Sequence, residues 1–196
     1  MTAPVLGNHR HSERVMARRS IARERSLDAF ELSLANQQSS HDVDEERLLT
    51  AARRVLADAE LDPAAISLAV IADATIHALN RRFLDHDWPT DVLSFVLEET
   101  GGHLEGEVVL SADTAATVAR ECGWSASDEQ LLYVIHGMLH LVGYDDLSDE
   151  DAQAMRRAER FYLRECGVDL PENARVVGDA AGSVGRAGGP GGTSAL

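Results

Sequence analysis

Val92-Leu-Ser-Phe-Val-Leu97 and Gly106-Glu-Val-Val-Leu110 are two short apolar runs, separated by a segment that carries Gly101-Gly102. Runs of this length, rich in Val, Leu and Phe and broken by paired glycines, read as two strands of a β-hairpin. Toward the N-terminus, Trp88-Pro-Thr-Asp91 makes a turn, because proline fixes its own φ and pushes the residue before it out of helix. A short helix is expected near 74–84, carrying Ile76, Leu79, Asn80 and Phe83. Ile66-Ser-Leu-Ala-Val-Ile71 is a strand, and Pro63 lies in the connection before it. Asp42 with Glu45 resembles a capping box, opening an amphipathic helix through Leu48, Leu49, Ala52, Val55 and Leu56. Phe30-Glu-Leu-Ser-Leu-Ala35 alternates apolar and polar like a half-buried strand. Toward the C-terminus, Ser111 caps a helix that ends before Gly123. Ser127 with Gln130 starts a helix that runs to Leu141 or Val142 and stops at Gly143. Ser148 with Asp151 starts the last one, through Met155, Phe161 and Tyr162 to Gly167. The expected fold is α+β in a single domain, a small mixed sheet of about four strands packed with about five helices.

The folded unit is expected at 27–172. Residues 1–26 form an Arg-rich extension with little apolar material to bury, expected to be disordered or a marginal helix; a basic arm that touches nucleic acid is the alternative. Residues 173–196 have the Gly- and Ala-rich composition of a flexible tail. All 18 basic residues are arginine, and the net charge is −15. It is unevenly spread: residues 1–26 carry +4 and residues 27–175 carry −19. Such a body argues against a general nucleic-acid binder, which needs a basic surface to neutralise phosphates. No window approaches the roughly 18 apolar residues of a membrane span. No apolar stretch with a small-residue cleavage site follows the N-terminal arginines, so a secretory signal is not expected and a cytoplasmic protein fits best. Cys122 and Cys166 each precede a glycine near a helix end and read as small buried thiols rather than a disulfide framework.

The chemistry concentrates in the helix expected over 128–142, which is apolar on nearly every face after its first turn and therefore buried. His136 and His140 stand four residues apart in it, which puts both rings on one face, a turn apart. Burying two imidazoles is unfavourable unless their nitrogens find partners, and one shared metal ion satisfies a nitrogen of each. A bare His-x-x-x-His is a weak signal, but its flanks strengthen it. Gly137 costs a helix interior ~1 kcal/mol against Ala, which makes sense if something must approach the backbone there. Gly143 turns the chain back, and Tyr144-Asp145-Asp146 follows within reach. A carboxylate added to the two rings gives three ligands and an open fourth position, as in catalytic zinc sites. Asp146 is the expected third ligand, with Asp145 its adjacent rival. A metalloprotease would carry His-Glu-x-x-His, and Gly137 occupies the place of that Glu.

The segment His136-Gly-Met-Leu-His-Leu-Val-Gly-Tyr-Asp-Asp146 resembles the signature His-Gly-x-Leu-His-Leu-x-Gly-Tyr-Asp-His of the YbeY family of bacterial endoribonucleases and rRNA maturation factors. Leu79-Asn80 with Asp87-Trp-Pro-Thr-Asp-Val-Leu-Ser-Phe95 is similar to the family's second block, and Leu104-Glu-Gly-Glu-Val-Val-Leu-Ser111 to its Gly-Asp-Ile-x-Ile-Ser strand. Asn36-Gln37-Gln38, and Glu159 after Met155, also fall where the family has them, so the resemblance covers most of residues 30–165. It implies a zinc-dependent endoribonuclease that cuts single-stranded RNA during small-subunit rRNA maturation and ribosome biogenesis. The small ribosomal subunit or its proteins are the implied partners. Two departures stand out. Asp146 replaces the family's third histidine, and carboxylate oxygen also suits zinc. Leu84, after Phe83, replaces an arginine thought to engage the RNA phosphate. Arg81 and Arg82 lie within a turn of that position and are candidate substrate-binding residues, Arg82 also a catalytic one; a solvated surface charge is the plain alternative. Asp145 is a candidate base or orienting group. The competing readings are a ribosome-assembly factor with a structural zinc and a small-molecule metal hydrolase.

Overall fold

The computed structural model describes residues 30–169 apart from Glu60, Asp62, His86 and Pro89. The Arg-rich extension and the Gly/Ala-rich tail read from the sequence lie outside the described residues. The elements run β1 (Phe30–Asn36), α1 (Glu45–Asp58), β2 (Ala64–Ile71), α2 (Asp73–Leu84), β3 (Val92–Thr100), β4 (His103–Ser111), α3 (Ala112–Cys122), α4 (Ala126–Leu141) and α5 (Asp149–Glu165). This is the α+β domain expected, with four strands and five helices among the described residues.

The strands lie in the order β1-β2-β4-β3, with β1, β2 and β4 parallel and β3 antiparallel to β4. The hairpin is longer than the apolar runs suggest. Its two turn residues, Gly101 and Gly102, both have positive φ (61° and 90°), so Thr100 pairs directly with His103 and the ladder extends to the turn. Alternate side chains divide the sheet's two faces. Ile66, Leu68, Val70, Val108 and Leu110 pack into the main core with α1, α4 and α5. Ala69, Ile71, Leu93 and Val109 form a smaller cluster with Ile76 of α2 on the opposite face.

Two helix starts differ from expectation. Asp44, not Asp42, caps α1 by accepting from the Arg47 amide at 3.1 Å, while the Asp42 carbonyl accepts from Gln130 Nε2 at 3.2 Å. Ser125, not Ser127, caps α4 by accepting from the Asp128 amide at 3.0 Å. The Ser127 hydroxyl instead accepts from Arg47 at 2.9 Å, tying α1 to α4. Both residues pass the local capping rule, and tertiary partners decide between them and their neighbours. Ser111 and Ser148 do cap α3 and α5. Cys122 and Cys166 are half-buried rather than fully buried. Among the described residues, no helix is long and apolar enough to cross a membrane.

Candidate metal centre

Helix α4 is wedged between the sheet and helices α1, α3 and α5, and is buried on nearly every face. Gly137 explains how closely it can lie. A Cβ built there would meet Val108 Cγ1 at 2.5 Å and Ser94 Oγ at 2.9 Å. The Ser94 hydroxyl donates to the Gly137 carbonyl at 3.1 Å. What approaches the helix backbone is therefore the sheet, through β3 and β4. That contact sets the depth at which His136 and His140 are held.

Past α4 the chain reverses through a Schellman turn. The Gly143 amide donates to the His140 carbonyl at 3.0 Å and the Tyr144 amide to the Leu139 carbonyl at 3.0 Å, with Gly143 at φ 93°. This reversal brings Tyr144 and Asp146 back against the two rings. His136, His140 and Asp146 each offer one donor atom, and those atoms lie within 4.8 Å of one another. The two Nε2 atoms are 3.0 Å apart, and Asp146 Oδ2 is 4.0 Å from His136 Nε2 and 3.9 Å from His140 Nε2.

The other ring nitrogens reveal what this cluster can accept. His136 Nδ1 donates to Glu159 Oε1 at 2.8 Å, and His140 Nδ1 to the Tyr144 carbonyl at 3.2 Å. A carboxylate and a carbonyl can only accept, so each neutral imidazole keeps its proton on Nδ1 and turns a bare lone pair on Nε2 toward its neighbour. Two lone pairs at 3.0 Å repel unless a proton or a cation lies between them. Ligand atoms around a tetrahedral zinc, with bonds of about 2.0–2.1 Å, sit about 3.3 Å apart. The donor set thus fits a small divalent cation in chemistry and the two Nε2 atoms fit it in spacing, while Asp146 Oδ2, at 3.9 and 4.0 Å, stands further out.

Electrostatics agree with that description. Burial alone would lower the His136 pKa, but the hydrogen bond and charge of Glu159, with the charges of Asp91 and Asp146, outweigh it and raise the pKa. His140 is lowered by burial and by the neighbouring His136, against the opposing pull of Asp146, Asp145 and the Tyr144 carbonyl. Asp91, buried just before β3, is itself held by Thr90 Oγ1 and the Val92 amide.

The remaining candidates stand apart from the three donors. Asp145 is exposed, and its carboxylate accepts from the Asp146 amide at 2.8 Å. Arg81 pairs with Asp87 at 3.9 Å and Arg82 lies 5.2 Å from the centre of the Phe83 ring, both at the C-terminal end of α2. Glu159 and the Tyr144 carbonyl are functional partners that spacing rules did not assign. One signal for Glu159 was available. Met155, Ala158, Tyr162 and Leu163 form the buried stripe of α5, and Glu159 sits within it.

A cluster of two histidines and a carboxylate, sunk between a mixed four-stranded sheet and a hydrophobic helix, defines an α+β domain built around a cation-binding type of site. Comparison with known proteins names the family. The family model for endoribonuclease YbeY matches residues 33–167, and the chain belongs to that family. It is similar to the endoribonuclease YbeY of Rhodopirellula baltica, 47% identical over 112 residues, a match that covers 56% of this chain and 58% of that one. The endoribonuclease YbeY of Syntrophotalea carbinolica is 40% identical over 139 residues, covering 66% of this chain and 93% of the relative. That of Moorella thermoacetica is 37% identical over 155 residues, covering 71% and 99%. A Thermotoga maritima protein solved in solution is 24% identical, with a TM-score of 0.47, covering 74% of this chain and 99% of that one.

Proposed function

We propose that the protein is a zinc-dependent, single-strand-specific endoribonuclease of the cytoplasm, acting in small-subunit rRNA maturation and ribosome biogenesis, with His136, His140 and Asp146 as the ligands of one zinc ion. Its partners in this reading are rRNA and the small ribosomal subunit or its proteins. The observation that carries it is the pair of Nε2 lone pairs facing each other at 3.0 Å beside Asp146, inside a chain of the endoribonuclease YbeY family. When bound, zinc supplies Lewis acidity toward a phosphoryl oxygen and toward water.

The chain's own residues do the rest. His136 and His140 present neutral imidazoles, held in the right tautomer by Glu159 and the Tyr144 carbonyl. Asp146 adds a negative charge that a third imidazole would not, which makes the site's water less acidic than an all-histidine set would. In this reading Asp145, exposed beside Asp146, takes a proton from water. Because Leu84 provides no guanidinium, phosphate contact falls to Arg81 and Arg82 on the last turn of α2.

One observation favours a second reading, an assembly factor whose zinc is structural: residues 27–175 carry −19, which repels RNA. Purified protein incubated with a single-stranded RNA separates the two. The enzyme reading expects cleavage that is lost on chelation and in His140→Ala. Stoichiometric zinc with intact RNA, across several metals, would give the assembly factor the better claim.

A further inference from the structure

We infer that Glu159 is a positioning residue for the cation site: it fixes His136 in its binding tautomer and lends its charge through the ring, making His136 the dominant ligand. This rests on the proposed zinc site.

The position itself is the first argument. Glu159 lies on the apolar stripe of α5, is 3% exposed, and reaches His136 Nδ1 at 2.8 Å across the α4–α5 interface. His136 is 1% exposed, so water cannot substitute as its partner. The second argument is the contrast between the two rings. His140 keeps the same tautomer with a neutral acceptor, the Tyr144 carbonyl, at 3.2 Å. Tautomer control alone therefore needs no charge, and an amide or a carbonyl would satisfy His136 with far less desolvation than a carboxylate. A buried carboxylate becomes favourable when a positive charge sits on the other side of the imidazole. Glu159, His136 and a cation at Nε2 form such a chain, in which the carboxylate raises the basicity of the ring nitrogen facing the ion. The two histidines are then unequal donors, His136 firmly aimed and more basic, His140 closer to solvent and more weakly held.

The test uses the full chain with zinc as the probe, in Glu159→Gln and Glu159→Leu. Gln can still accept the Nδ1 proton but carries no charge, whereas Leu can do neither. Zinc affinity, measured by competition with a chromophoric chelator, is expected to fall about 10-fold in Gln and about 100-fold in Leu, the range usual for partners behind a ligand. Nitrogen-resolved NMR of the metal-free histidines should show His136 protonated on Nδ1 in wild type and Gln, and shifted toward Nε2 in Leu. Because Gln preserves the buried hydrogen bond, it controls for loss of fold. Wild-type zinc affinity in Glu159→Gln overturns the charge role. An unchanged His136 tautomer in Leu overturns the orienting role. If wild type binds no zinc, the zinc reading fails by itself, and the tautomer comparison still decides whether Glu159 positions His136.

Discussion

Replacing Gly137 with Ala asks α4 to make room for one methyl group where the sheet has left none. The added carbon would lie 2.5 Å from Val108 Cγ1 and 2.9 Å from Ser94 Oγ. Carbon atoms pack best at about 3.5–4.0 Å, so the overlap is at least about 1 Å. Val108 is wholly buried and has nowhere to turn. Ala gains ~1 kcal/mol of helix propensity over Gly. Against this stand overpacking, about 1–3 kcal/mol and here toward the upper end, and a disturbed Ser94 hydrogen bond worth about 1 kcal/mol. The net expectation is a loss of about 2 kcal/mol, which lowers the melting temperature by on the order of 4–8 °C in a chain of this size. The retreat of α4 also carries His136 and His140 away from Glu159, so zinc affinity should fall with stability. Denaturant melts and zinc competition on the same preparations measure both. Adding Val108→Ala should restore part of each, because it empties the space the new methyl needs. A Gly137→Ala protein as stable as wild type, or more stable by the helix-propensity gain alone, would refute the reasoning.

Other perturbations probe the site from different sides. Asp146→Ala should weaken zinc binding by at least about 10-fold, read from metal content after dialysis; full retention would remove Asp146 from the ligand set. Zinc affinity should drop as pH falls, because a proton occupies the place of the ion; with the His136 pKa raised, the drop begins at higher pH than it would for an unperturbed histidine. A zinc titration at several pH values checks this, and a flat profile would contradict it. Leu84→Arg should tighten single-stranded RNA binding and steepen its salt dependence by about 0.7 in log–log slope for one added phosphate contact. Asp113 has its pKa lowered by the Asp73 amide, against burial, and by His41. Its contribution to stability is present above its ordinary value of 3.8 and lost as pH falls through the lower folded value, so Asp113→Asn should flatten the acid limb of a pH–stability curve.

Much of this was legible in the residues because it is local. The near-continuous apolar run of α4, its two histidines and the glycine turn before Asp146 are short-range features, and the structure assembles them as spacing suggests. What spacing could not reveal depends on distant partners. The strand order β1-β2-β4-β3 separates β2 from β3 in space, and no local pattern encodes that insertion. The cap of α4 moved from Ser127 to Ser125 because Arg47, on another helix, claims the Ser127 hydroxyl. Gly137 signalled a close approach, but only the packed sheet identifies Val108 as the neighbour. Glu159 entered the sequence reading only through the family resemblance, and its target needed the α4–α5 packing.

His136, His140, Tyr144, Asp146 and Glu159 all come from two consecutive helices and the turn between them, whereas every strand of the sheet precedes them in the chain. During translation the sheet strands therefore leave the ribosome first, and the last group needed to close the site is added 23 positions after His136. At bacterial elongation rates of roughly 5–20 residues per second, this sets a delay of about 1 to 5 s between the first donor and the completed set. Through that interval α4, the most apolar helix of the domain, already has its sheet to pack on but lacks α5 as a cover. In the proposed zinc reading, the full donor set with its supporting Glu159 exists only once α5 has been added, when the contacts still to form are short-range ones that close quickly.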